Sequence, residues 1–371
     1  MQKKEMTIFM CGDVMTGRGI DQILPHPADP GIHEPYLKSA LQYVELAEEA
    51  HGPIPKPAAY SYIWGDALGE FGLAAPDVKI INLETAVTRS EDYEAKGINY
   101  RMAPENIPCL AAAGIDCCAL ANNHVMDWGV SGLLETLDTL KNAGLKSCGA
   151  GRNLDEAAAP AIIDAPAADA RVLVFSMGSE TSGIPRHWAA GENMPGVCLL
   201  KDISPGEALC LKEKIQKNRR QRDIVVASVH WGGNWGYEVP EDMRQFAHHL
   251  IDRAGVDIVH GHSSHHPKGI EVHAEKLILY GCGDLINDYE GIGGYEHFRP
   301  ELGLMYFARA DPGTGKLLSL AMAPSIMRNF RVNRASGDDT LWLKNTLNRE
   351  GQRFNTEVSI GSDGRLALEW G

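Results

Sequence analysis

An α/β fold, with a largely parallel or mixed sheet covered by helices on both faces, is predicted for this 371-residue sequence by three observations. Short apolar runs at 7–11, 77–81, 115–120, 171–176, 223–229, 256–259 and 277–280 read as buried strands. Helical stretches separate many of them; in 130–143, for example, Leu133, Leu134, Leu137 and Leu140 recur at helical spacing. Polar residues that carry chemistry stand directly behind several runs, where open α/β sheets place ligands.

Composition sets outer limits. The length is ample for a sizeable core, and 44% hydrophobic residues is ordinary for a globular protein. A formal charge of −14, from 35 basic and 49 acidic side chains, argues against a nucleic-acid-binding surface. It leaves the substrate open, because metal ions reverse the local field. The polar start and the short run before Gly12 do not make a signal peptide or membrane span, and no later stretch approaches ~18 apolar residues, so no membrane anchor is expected. The eight cysteines are scattered without a CxxC pair, as expected for reduced thiols in a cytoplasmic protein.

Taken in order, the first strand ends in Gly12-Asp13-Val14-Met15-Thr16-Gly17-Arg18-Gly19, whose glycines allow a close turn. Asp13 is then either presented at the strand end or closes an Asx turn. Residues 25–62, rich in Pro and His with one amphipathic stretch over 36–50, read as an insertion that would form a lid or specificity element. The run at 77–81 delivers Asn82-Leu83-Glu84-Thr85, and the run at 115–120 delivers Ala121-Asn122-Asn123-His124 with Asp127 beyond. Further helices are expected at 104–113, 207–220 and 241–254, with a loop at 177–206 punctuated by Pro185, Pro195 and Pro205. The run at 223–229 leads to His230-Trp231-Gly232, and that at 256–259 to His260-Gly261-His262-Ser263-Ser264-His265. His248 and His249 read as surface or packing residues. From about 303 the chain reads as a sheet extension completing a single domain, 1–371.

Asp13, Glu84, Asn123, His230, His262 and His265 all follow predicted strands, so a parallel sheet would bring six oxygen or nitrogen ligands to one edge. Such mixed sets suit Mn, Fe or Zn, and six ligands suit two divalent ions bridged by a carboxylate better than one.

These blocks, in this order, resemble the CapA (poly-γ-glutamate capsule biosynthesis) branch of the calcineurin-like metallophosphoesterases over residues 8–285. The resemblance implies a metallophosphatase-like four-layer α/β/β/α sandwich with a two-metal centre. It assigns Asp13 and His265 to one metal, Asn123, His230 and His262 to the other, and Glu84 to the bridge. His124 would protonate the leaving group, oriented by Asp127. The sequence departs from the wider superfamily at Met15, where Asp-x-His is common, and at Glu84, where Asp is common.

The chemistry then expected is metal-assisted hydrolysis of a phosphoester or a γ-glutamyl-type amide in a small or peptide-like anionic substrate, with Arg18 holding an anionic group. The competing expectation is a non-hydrolytic accessory protein of poly-γ-glutamate assembly. Trp128 and Trp231 flank ligands and serve either as stacking walls or as packing.

Overall fold

The computed structural model describes residues 5–371; the polar start at 1–4 lies outside them. Two sheets face each other. In the first, of ten strands, Met6–Val14, Val78–Leu83, Cys117–Ala119 and Lys146–Cys148 run parallel side by side. Leu302–Asp311 then pairs antiparallel to the other side of Met6–Val14, from Met6 opposite Ala310 to Met10 opposite Tyr306, and Lys316–Arg328 pairs with it in turn. The C-terminal region therefore extends the first sheet. In the second sheet, of six strands, Ala170–Gly178, Asp223–His230, Ile258–His262 and Lys276–Leu279 are parallel, with antiparallel strands at both edges.

Strand alternation divides the side chains among three cores. Met6, Ile8, Met10, Val78 and Ile80 of the first sheet meet Val172, Val174, Ile224, Val226 and Ile258 of the second in one buried cluster between the sheets. The opposite faces, Phe9, Ile81 and Leu83 on one side and Leu173, Val225 and Val229 on the other, are buried under helices. Leu133, Leu137 and Leu140 of helix Gly129–Asn142 cover the first sheet; Leu211, Ile215, Met243 and Phe246 of helices Pro205–Asn218 and Glu241–His249 cover the second. Each fully buried Leu, Ile or Phe contributes roughly 1.5–3 kcal/mol. The result is the four-layer α/β/β/α order expected from the resemblance.

One element differs from expectation. Helix Gly337–Gly351, not anticipated from the sequence, buries Leu343 and Leu347 against the intersheet core and begins at a reciprocal Ser336–Asp339 capping box. Residues 25–62 carry a helix, Leu41–His51, whose Tyr43, Val44 and Ala47 are buried in the core over the first sheet. Among the described residues, no helix is long and apolar enough to cross a membrane. All eight cysteines are free thiols.

Candidate metal centre

The carboxyl ends of the parallel strands of both sheets meet at one edge. Asp13 lies near the end of Met6–Val14, opposite Asn82 on one neighbour and Asp284 on the other. Gly12 permits this approach: a Cβ there would lie 1.6 Å from the Gly283 carbonyl oxygen. Glu84 follows Val78–Leu83 directly, and Asn123 and His124 stand in the turn after Cys117–Ala119. His230 and His262 close their strands and sit opposite each other in register, with His265 in the loop beyond. Ligating atoms of Asp13, His230 and His262 lie within 4.8 Å of one another, as do those of Asp13, His265 and Asp284. Glu84 is 3.9 Å from His230 Nδ1 and 3.8 Å from His124 Nε2. All six residues read as ligands from the sequence therefore converge. Asp284 joins them from the strand beside Asp13, and Asp13, not Glu84, is common to both groups.

The hydrogen bonds assign the histidine tautomers. His260 Nε2–H donates to the Cys11 carbonyl at 2.6 Å, so its Nδ1 accepts from the Ser228 hydroxyl, 3.1 Å away. That hydroxyl, its one proton given, accepts from His262 Nε2–H at 2.9 Å, which leaves His262 Nδ1 bare. His230 Nε2–H donates to Asn123 Oδ1 at 3.0 Å, which leaves His230 Nδ1 bare as well. These two bare nitrogens stand 2.7 Å apart, an arrangement that a shared cation would relieve. Asp13 Oδ2 is buried without a hydrogen-bond partner at the same place. An orphaned carboxylate oxygen and two converging lone pairs fit a divalent ion held by N and O donors.

Electrostatics agrees. Burial, then the negative charge of Asp284, pushes the Asp13 carboxyl up to about 7. Burial, then Asp13, pushes Glu84 well above the carboxylate range, while burial holds the His230 and His262 imidazoles well below theirs. His265 runs the other way: burial opposes its charge, but Asp284, 3.0 Å from Nδ1, raises it. Three carboxylates buried together call for positive charge.

Asn82 is a further member of the site, one the sequence reading does not predict. Its Nδ2 donates to Asp13 Oδ1 at 2.8 Å and Glu84 Oε2 at 2.9 Å, and its Oδ1 accepts from Asn122. Asn122 Oδ1 in turn accepts the backbone N–H of His124 and Val125, so two amides tie the carboxylates to the His124 turn. His124 Nδ1 is 2.7 Å from Asp127 Oδ2. Asp127 also receives the Tyr100 backbone N–H at 2.6 Å and the Lys96 ammonium at 2.7 Å. Lys96, a second residue not anticipated, also donates to the Asn123 carbonyl. Burial, with Lys96 adding to it against the pull of Asp127, lowers the His124 pKa to about 4.

Arg18, expected to hold a substrate anion, is turned inward. It is 3% exposed; its guanidinium grips Asp288 with Nε and Nη2, while Nη1 donates to Glu34 Oε1 at 2.9 Å and the Tyr43 hydroxyl at 3.0 Å. A substrate anion would have to displace one of these carboxylates. Arg18 instead fastens residues 25–62, through Glu34 and Tyr43, to the loop carrying Asp288. Arg18→Met is expected to lower stability by roughly 3–5 kcal/mol, read by urea unfolding, because two carboxylates stay buried without their partner. Trp128 and Trp231 are packing residues; both are buried, their indole N–H groups donating to the carbonyls of Tyr100 and Tyr280.

A four-layer sandwich whose intersheet edge gathers carboxylates, amides and imidazoles defines a metallophosphatase-like protein. Within that class, the chain belongs to the family of bacterial capsule synthesis protein PGA_cap, which its residues 7–289 match. The probable polyglutamine synthesis accessory protein of Mycobacterium tuberculosis (strain H37Rv) is 46% identical over 98% of this chain and 96% of its own. The PGA biosynthesis protein CapA of Bacillus subtilis is 27% identical over 82% of this chain and 68% of its own, and the capsule biosynthesis protein CapA of Bacillus anthracis 25% over 77% and 61%. The crystal structure of a Mycoplasma pneumoniae phosphatase aligns with 88% of this chain and 95% of its own at a TM-score of 0.46 and 13% identity. The resemblance to CapA drawn from the sequence blocks is thus confirmed.

Proposed function

We propose that this protein is a metal-dependent hydrolase serving poly-γ-glutamate biosynthesis, acting on a phosphoester or a γ-glutamyl-type amide. The observation that carries the reading is the orphaned Asp13 oxygen, common to two ligand groups and tied through Asn82 and Asn122 to an imidazole–carboxylate pair. Asp13, His230 and His262, with Asn123 and Glu84 beside them, would hold one divalent ion; Asp13, His265 and Asp284 would hold the other. Mn, Fe or Zn, when bound, supplies Lewis-acid polarisation and a nucleophilic water at neutral pH.

The chain's own residues do the rest. Asp127 fixes the Nδ1 proton of His124 and leaves Nε2 facing the site on the side of Glu84. Burial is the largest influence holding the imidazolium down, so an anionic group arriving at Nε2 would supply the missing counter-charge. His124 would then carry the proton given to the leaving group. Lys96 and the Tyr100 N–H hold Asp127 in place. The eight free thiols, six of them buried, support a reducing, cytoplasmic setting.

A second reading, a non-hydrolytic accessory protein of poly-γ-glutamate synthesis, is favoured by the word "accessory" in the name of the mycobacterial relative. One experiment separates the two. Chelator-stripped protein is reloaded with Mn, Fe or Zn and assayed on an aryl phosphate, an aryl phosphodiester and γ-glutamyl peptides. Turnover of one class that returns on reloading supports the hydrolase. Full metal occupancy without turnover of any class would give the reading to the accessory protein.

A further inference from the structure

We propose that His248, Asp252, Glu271 and His273 form a separate cation site of the zinc class, pinning a helix to the edge strand of the second sheet. Two rigid elements present the four residues. Glu271 and His273 are two apart on the edge strand Ile270–His273 and so share a face. His248 and Asp252 are four apart where helix Glu241–His249 continues into the π turn Leu250–Ala254, one above the other.

The faces meet. His248 Nε2 is 2.8 Å from Glu271 Oε1, and His273 Nε2 is 3.0 Å from both oxygens of Asp252. The imidazoles lie parallel, 3.8 Å apart at 9°, and donor atoms of His248, Glu271 and His273 fall within 4.8 Å of one another. Tyr280 supports the carboxylate from behind: its hydroxyl donates to Glu271 Oε2 at 2.6 Å and directs Oε1 towards His248. A hydrogen-bonded outer partner of this kind orients metal-ligating carboxylates.

The chemistry selects the ion. Two imidazoles and the Glu271 carboxylate, their donor atoms within 4.8 Å of one another, match a divalent cation of borderline softness, with Asp252 beside His273 on the solvent side. His273 pairs with Lys276, and the next residue, Leu277, pairs with Ile258. His262 therefore stands five residues further along the sheet, roughly 16 Å at ~3.3 Å per residue, so the site is distinct from the Asp13 centre. Asp252, with 47% of its side chain exposed, leaves an entry path from solvent.

Zinc binding to the full chain tests the inference. Chelator-stripped wild type, the His248→Gln/His273→Gln double variant, Glu271→Gln and Asp252→Asn are titrated with zinc, and bound metal is counted by elemental analysis. Wild type is expected to hold one ion more than the double variant, whose affinity for that ion falls at least ~100-fold, beyond what a single outer partner contributes. Glu271→Gln and Asp252→Asn should each weaken the same ion. Asp252 is exposed enough that its variant folds even where the others do not. Equal ion counts in wild type and double variant, or undiminished binding in both carboxylate variants, would overturn the proposal, the latter reducing it to an adventitious histidine pair.

Discussion

His124→Ala is expected to keep its bound metal while its hydrolytic rate falls at least ~10²-fold, the usual cost of removing a general acid. The two effects separate because His124 belongs to neither ligand group around Asp13. Its ring is held by Asp127, and its turn by Asn122, whose Oδ1 bonds the backbone of residue 124 whatever side chain stands there. The alanine variant thus leaves the ligands where they are. Metal counted per chain, alongside turnover on the substrate class found active, reads both. A variant turning over as fast as wild type would end the acid role. One that loses its metal would show that the turn, and not the proton, was the casualty.

Asp13→Asn is expected to have the larger effect, abolishing metal uptake at both ligand groups and turnover with it. His265→Ala should weaken uptake at one group only, because Asp13 alone is common to the two. Without metal the same change has a second consequence. The Asp13 carboxyl titrates at about 7 in the folded chain against an ordinary 3.8, so the native state binds its proton more tightly than the unfolded state does. Its contribution to stability is full below about pH 4 and is lost as pH rises through about 7. Asparagine keeps the shape and never ionises. Stripped of metal, Asp13→Asn should therefore gain on wild type in melting temperature as pH climbs from 4 to 7; burial of His230 and His262 affects both chains alike. A constant difference across that range would contradict the buried-charge account. A variant that fills both ligand groups around Asp13 as wild type does would remove Asp13 from the centre.

Much of this was legible because parallel strands impose a simple rule on sequence. An apolar run followed by a donor residue puts that donor at one edge, which placed Asp13, Glu84, Asn123, His230, His262 and His265 in the same neighbourhood. Asp284 escaped because Gly281-Cys282-Gly283 separates it from the preceding run, and it opens a strand of its own instead of closing one. Lys96 lies in irregular chain without periodicity, and its value comes only from Asp127, 31 residues on. Arg18 misled for the opposite reason: it is near Asp13 in sequence, and the carboxylate that captures it, Asp288, is 270 residues away. Division into two facing sheets was not visible in strand order, since alternating strands and helices fit one sheet equally well. That feature came from the family resemblance, and the intersheet core confirms it.

The seam between those sheets gives the centre a further character. Asp13, Glu84, Asn123 and Asp284 ride on one sheet and its loops, and His230, His262 and His265 on the other. Neither set alone encloses an ion: the first offers mostly anionic oxygens, the second only imidazoles. Bonds from His260 to the Cys11 carbonyl, from His230 to Asn123 and from His265 to Asp284 already stitch the two at this level. Ion capture therefore reports assembly as well as chemistry. A chain with both sheets formed but not yet docked holds two incomplete half-sites, so metal uptake during refolding should lag the appearance of secondary structure and coincide with closure of the intersheet core.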